Sequence, residues 1–276
     1  DEDDEIDELG ESINLMSDKL ESTINQLRST NIELERDIER KSKIDEMRKS
    51  FISDVSHELK TPIALIQGYS EGLLENVNSD PESRKFYAEV ILDETNKMDK
   101  MVRQLIELTK LEYEKREFNN RDFNIVELEK EIVRTSQVML DDKGTQVEFE
   151  TEDSIEVFAD DMFISQIITN YLTNAIKHVK DVDGDKYIKI TNKIIPDKNK
   201  VRVTVFNTGD NISKENLSRI WNRFFKADEA RNRDDGGSGI GLSIVRAIMN
   251  NYGNDYGVEN KYNGVEFFFE VDKVTK

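Results

Sequence analysis

Cysteine is absent from all 276 residues, which rules out a disulfide framework and any thiolate metal centre and fits a reducing compartment. Proline occurs three times and histidine twice. Helices can therefore run long without their usual breaker, and each histidine can be weighed singly. No run of about 18 apolar residues occurs, and the acidic opening Asp1-Glu2-Asp3-Asp4-Glu5 is unlike a secretion signal, so the chain as written is expected to be soluble. Basic excess is lacking too. With 58 acidic against 39 basic residues the formal net charge is -19, which argues against a nucleic-acid partner held by bulk electrostatics. What remains is 36% hydrophobic residues, enough to build cores in a chain long enough for two domains.

Hydrophobic periodicity divides the chain. Ile6, Leu9, Ile13, Met16, Leu20 and Leu27 recur at alternating steps of three and four, with Ile24 beside the seam. This is a heptad stripe that calls for a partner helix, most simply in a parallel dimer. The stripe resumes out of phase through Ile32, Leu34, Ile38 and Ile44. A second helix is expected from about Asp45 to Glu75, interrupted at Pro62, and a third after the break Asn78-Ser79-Asp80-Pro81, carrying Phe86, Val90, Met98, Met101, Leu105, Leu108 and Leu111. A two-helix hairpin buries both faces economically when two copies make a four-helix bundle. Past Asn120 the pattern turns mixed. Helices are expected at 125–140, 162–178 and 240–251, strands at 146–150, 155–159, 187–195 and 200–206, with a closing hairpin ending in 264–270. This order predicts an α+β two-layer sandwich.

Three stretches carry chemistry. In Phe51-Ile52-Ser53-Asp54-Val55-Ser56-His57-Glu58-Leu59-Lys60-Thr61-Pro62, helical spacing gathers Asp54, His57, Glu58 and Thr61 on one polar face, with Ile52, Val55, Leu59 and Ile63 toward a bundle core. A solvated neutral imidazole is a competent nucleophile, and the following carboxylate can orient it or take its proton. In Gln166–His178, Asn170 and Asn174 lie one turn apart, so both side-chain oxygens can approach one cation, and Lys177 adds a positive charge. Gly236-Gly237-Ser238-Gly239-Ile240-Gly241-Leu242 feeds a helix, where bare backbone N–H groups and the helix dipole suit phosphate. It is no Walker loop, because the Lys-Ser/Thr that should follow is missing. Taken singly, each stretch also admits a plain reading: an exposed histidine, two solvated asparagines, a flexible turn.

Together and in order they resemble the two-component sensor histidine kinases over residues 45–276. SHELKTP resembles the H box, NYLTNAIKH the N box, and GGSGIGLSIV the G2 box. Arg219-Ile220-Trp221-Asn222-Arg223-Phe224-Phe225-Lys226 resembles the F box of an ATP lid. The resemblance implies that His57 is the phosphoacceptor, Glu58 its assisting base, and Thr61 the residue orienting water when a response regulator is dephosphorylated. It implies ATP and magnesium as cofactors, with Asn174 on the metal and Asn170, Lys177, Arg223 and Lys226 on phosphates. His178 would lie beside the base or sugar, and Gly237, Ser238, Gly239, Gly241 and Leu242 in the phosphate loop. Asn207-Thr208-Gly209-Asp210-Asn211 stands at the G1 box and departs from it. Asn207 replaces the Asp that meets the adenine amino group, and Asn211 replaces the second glycine, where asparagine tolerates a left-handed backbone.

Asp4-Glu5-Ile6-Asp7-Glu8-Leu9 resembles the second helix of a HAMP relay, which implies an upstream membrane segment. The fold implied is a coiled coil and dimeric four-helix bundle followed by a Bergerat-type ATP-binding sandwich. Its expected parts are residues 1–29 as relay, 30–44 as linker, 45–118 as dimerisation and phosphotransfer domain and 119–276 as catalytic domain. The partners implied are a second copy and a response regulator. The G1 variant and IWNRFFKAD also resemble envelope-sensing kinases of Gram-positive bacteria. A scaffold that engages the regulator without making phosphohistidine stays open on account of Asn207 and Asn211. A serine kinase or plain ATPase would not need the SHELKTP hairpin.

Overall fold

Between Gly10 and Pro62 no glycine or proline interrupts the chain, and it forms a single helix, α1 (Glu2–Leu74). The computed structural model describes residues 2–75, 80–113, 118–226 and 238–274. The chain falls into two units, Asp1–His57 and Glu58–Lys276.

In the first unit Ile13, Met16, Leu20, Ile24 and Leu27 are all exposed on α1. Their heptad spacing makes this a continuous apolar seam along one side of the helix. The side chains of the opening DEDDEIDEL lie outside what is described, so only its helical backbone bears on the relay expectation.

The fresh helix expected at Asp45 is not found, because α1 continues across it and across Pro62. Pro62 cannot donate to the Glu58 carbonyl, yet strong helix formers on both sides, Leu59, Lys60, Ala64 and Leu65 among them, carry the helix on. Helix α2 (Pro81–Tyr113) begins at proline as the sequence implied, and Asp80 Oδ1 accepts from Ser83 N at 2.8 Å to satisfy its first turn. Asn78 and Ser79 lie outside the described residues. Tyr69 meets Phe86 and Tyr87 edge-on, with centroids 6.1 and 5.0 Å apart. Gly72 makes room for this packing, since a Cβ there would come 2.7 Å from the Tyr87 ring.

The rest of the second unit is a two-layer sandwich. Strands β1 (Arg121–Asn124) and β3 (Glu156–Ala159) form an antiparallel ribbon. β2 (Val147–Glu150), β4 (Ile188–Ile195), β5 (Lys200–Thr208), β6 (Tyr256–Lys261) and β7 (Gly264–Asp272) form a mixed sheet in the order β2-β4-β5-β7-β6. Only β2 and β4 run parallel. Helices α3 (Ile125–Thr135), α5 (Asp161–His178) and α6 (Gly241–Tyr252) pack together as the second layer, with α5 on β5. Alternation on β5 buries Val201, Val203 and Val205, and α5, which packs on this strand, buries Ile167, Ile168, Tyr171 and Leu172. Arg202 points the other way, onto buried Glu270 at 2.6 Å and over the Phe268 ring.

Two features differ from the sequence expectation. The helix expected over 125–140 breaks at Ser136, whose hydroxyl returns to Ile132 O at 2.9 Å, and resumes as α4 (Gln137–Lys143). Strand β1 was not foreseen, because its four residues are too few to show a period.

Candidate functional site

In the first unit His57 is exposed on α1. On the apolar positions Ile52 is exposed and Val55 half-buried in the first unit, and Ile63 is exposed and Leu59 half-buried in the second. The core expected there is thus not closed by one chain. In the second unit Thr61 is exposed, whereas Glu58 is half-buried and its Oε2 accepts from Lys226 Nζ at 2.9 Å.

The nucleotide-facing half is built on α5, α6 and the end of β5. Asp160 caps α5 by accepting from Met162 N at 3.1 Å. The helix buries Ile167, Ile168, Tyr171, Leu172, Ala175 and Ile176 and leaves Asn170, Asn174, Lys177 and His178 on the remaining face. Gly241 opens α6 directly against Asn170: a Cβ there would lie 2.8 Å from Asn170 Oδ1. Asn170 Nδ2 is buried with no hydrogen-bond partner. The buried, unmet Nδ2 donor suits Asn170 to an anionic oxygen such as a phosphate's. No side chain caps α6, so its first-turn N–H groups and dipole offer an anion site. Ser238 bonds Ile240 N and, at 2.8 Å, Gln104 of α2. Gly239, with φ +68°, is pressed on Phe224, whose N–H donates to Gly239 O at 2.9 Å. Leu242 follows Gly241 in the first turn of α6. Gly237 lies outside the described residues.

At the end of β5, Asn207 is buried at 3% exposure. Its Nδ2 donates to Thr208 O at 3.0 Å, so any acceptor role of the side chain falls to Oδ1. Gly209 has φ +148°, and a Cβ there would meet His178 O at 2.6 Å. Asn211 keeps a negative φ, so its replacement of a glycine needs no left-handed backbone. That conformation falls instead on Phe224, at φ +58°. Next to Phe224, Arg223 bonds Glu112 of α2. Trp221 stands edge-on to Tyr256, centroids 4.9 Å apart, and burial pushes the Tyr256 hydroxyl pKa up.

Glycines at 209, 239 and 241, the uncapped helix and the unmet Asn170 donor together fit a polyphosphate. Among the described residues no group of three acidic or histidine side chains could hold a metal by itself. Magnesium characteristically keeps waters and binds through few protein ligands plus phosphates, and one amide oxygen from Asn174 suits that habit. Sequence reasoning missed Glu112 and Gln104. Nothing marks them among other polar residues of α2, and their partners lie 111 and 134 residues away.

A long helical hairpin bearing SHELKTP joined to this sandwich defines a class, and the chain belongs to it: it is a member of the two-component sensor histidine kinases. The His Kinase A (phospho-acceptor) domain matches residues 47–114, and the histidine kinase-, DNA gyrase B- and HSP90-like ATPase matches residues 159–275. The chain is 31% identical to the sensor protein SrrB of Staphylococcus aureus over 242 residues, which are 86% of this chain and 40% of that protein's length. The chain therefore spans well under half of the curated relatives it matches. Histidine kinase ThkA, solved in complex with response regulator protein TrrA, is similar at 29% identity and a TM-score of 0.65, over 82% of this chain and 61% of that one. ShkA, solved with AMPPNP, shares the fold at 24% identity and a TM-score of 0.61, over 80% and 45%. Among the described residues no helix is long and apolar enough to cross a membrane.

Proposed function

We propose that this chain is the signalling and catalytic portion of a membrane-attached sensor kinase that transfers the γ-phosphoryl group of ATP to His57. An imidazole nitrogen of His57 attacks the γ-phosphorus, and the bond to the β–γ bridging oxygen breaks. ADP leaves with that electron pair, and the imidazole N–H proton passes to Glu58. The phosphoryl group then moves to an aspartate of a response regulator. Catalysis rests on positioning and charge, as is general for phosphoryl transfer. Asn170, the α6 N-terminus, Lys177, Arg223 and Lys226 hold phosphates, and Asn207 accepts from the adenine amine beside Gly209 and His178. Magnesium, held by Asn174, neutralises phosphate charge when bound. Thr61 orients water for the opposing activity, in which water attacks the regulator's phosphoaspartate and releases inorganic phosphate and the free carboxylate. The exposed seams on α1 and the open face at Ile52 and Ile63 support a homodimer. The ThkA complex with TrrA supports a regulator as the second partner.

The observation carrying this reading is the contact of Gly241 with Asn170, whose buried Nδ2 has no protein acceptor, in a chain that also bears SHELKTP. Asn207 favours a second reading, a regulator-binding scaffold without kinase activity, since a neutral acceptor holds adenine less strongly than a carboxylate. Incubation with γ-labelled ATP and magnesium, beside His57→Gln, decides between them. Acid-labile, alkali-stable label on the parent alone is expected. A folded dimer that takes no label establishes the scaffold.

A further inference from the structure

Two cations beside the glycine cradle are held by carboxylates from the helical hairpin. Lys226 Nζ donates to Glu58 Oε2 at 2.9 Å, and Arg223 Nη2 bonds Glu112. Both pairs are partly withdrawn from water, with side-chain exposures of 28% and 30% in the first and 15% and 20% in the second. To an ammonium or a guanidinium, a carboxylate and a terminal phosphate present the same feature, a pair of anionic oxygens. Neither cation can satisfy both at full strength.

Resting on the reading of Arg223 and Lys226 as phosphate-facing residues, we infer that Glu58 and Glu112 compete with the nucleotide's terminal phosphates for Lys226 and Arg223. Arrival of a triphosphate then draws Lys226 away and frees the Glu58 carboxylate for the imidazole proton of the preceding residue. Proton acceptor and phosphoryl donor thus become available in one event. Without the donor, the acceptor stays engaged.

The backbone between the two cations is suited to such an exchange. Phe224 holds φ +58° against Gly239, itself at φ +68°. A bulky side chain in that region persists only where its surroundings impose it. The imposing contact is with the phosphate loop: Phe224 N–H bonds Gly239 O, and a Cβ on Gly239 would lie 2.8 Å from the Phe224 backbone. A ligand seated in the loop therefore acts directly on the hinge that aims Arg223 and Lys226. A pair of ordinary surface ion pairs would contribute little and would have no reason to sit on both sides of that hinge.

The test uses the full chain with AMP-PNP and magnesium, and with AMP, which lacks the terminal phosphates. A water-soluble carbodiimide, which joins only amines and carboxylates already in contact, is expected to link Lys226 to Glu58. AMP-PNP should suppress the link and AMP should not. Glu112→Gln, nearly isosteric and checked by its thermal melt, should bind AMP-PNP about two- to fivefold more tightly and AMP unchanged. A cross-link indifferent to AMP-PNP, or a folded Glu112→Gln with parental affinity, overturns the inference while the kinase reading stands. Failure of the parent chain to bind AMP-PNP overturns both.

Discussion

Gly241 and Asn170 are packed so tightly that a Cβ on the glycine would lie 2.8 Å from the asparagine Oδ1 and 3.3 Å from its Cγ. The atom met is the tip of a side chain, so Gly241→Ala can be accommodated by turning the amide away. Alanine is also the better helix former, by up to about 1 kcal/mol. The melting temperature should therefore stay within a few degrees of the parent. Affinity for ATP should fall by about tenfold or more, the loss of roughly one well-placed hydrogen bond to a charged oxygen. Calorimetric titration beside a thermal melt separates the two effects, and equal loss of both would show that Gly241 serves the fold alone.

Gly239 gives the opposite pattern. Its φ is +68°, and an added Cβ would meet Phe224 backbone atoms at 2.8 Å, which cannot swing aside. Gly239→Ala should destabilise by about 1–3 kcal/mol through strain and loss of the Phe224 contact. Urea unfolding followed by Trp221 fluorescence is an apt readout, since Trp221 is the single tryptophan and is seated on Tyr256 and Phe267 close to this segment.

Asn207 Nδ2 donates to Thr208 O, which leaves Oδ1 as the amide's acceptor. Asn207→Leu removes that acceptor at a buried position. ATP affinity should weaken by about 1–3 kcal/mol, and preference for adenine over guanine nucleotides should shrink with it. Competition of ATP and GTP for a fluorescent nucleotide measures both. A variant that keeps its adenine preference would show that another group reads the base.

Those parts of the candidate site whose residues are neighbours in sequence were legible as local geometry. Asn170, Asn174 and Lys177 share a face by helical spacing alone, and Gly239 and Gly241 announce a loop entering a helix. Pairings across large separations were not legible. The bond between Glu58 and Lys226 joins residues 168 apart, and no periodicity encodes it. Nor could composition reveal that Phe224, and not Asn211, would take a left-handed backbone beside the site, since that follows from how the loop closes on Gly239. The continuity of α1 across Pro62 was not legible from the proline itself, because it depends on flanking residues that favour helix strongly enough to continue.

Glu129 of α3 lies under the sheet with no exposure. One oxygen accepts from Asn192 Nδ2 at 2.9 Å, while Glu129 Oε1 and Asn192 Oδ1 are buried without hydrogen-bond partners. A proton on Glu129 removes a buried charge and supplies a donor among these acceptors. Burial raises its pKa to about 7 from 4.5, against the lowering effects of the Asn192 bond and of Lys130. Between those values the folded chain holds a proton that the unfolded chain has released. Stability from this group is thus complete below about pH 4.5 and declines as pH rises to about 7, by at most about 3 kcal/mol. Glu129→Gln keeps the size, still accepts from Asn192 and offers an uncharged donor. The variant should match the parent near pH 5 and exceed it near pH 8 by about 1–3 kcal/mol. Unfolding of both chains by urea at the two pH values, followed by Trp221 fluorescence, isolates the term, because every other titrating group is common to both. Parallel pH profiles would mean that Glu129 is ionised in the folded chain, and that a group other than its own proton satisfies the two buried oxygens.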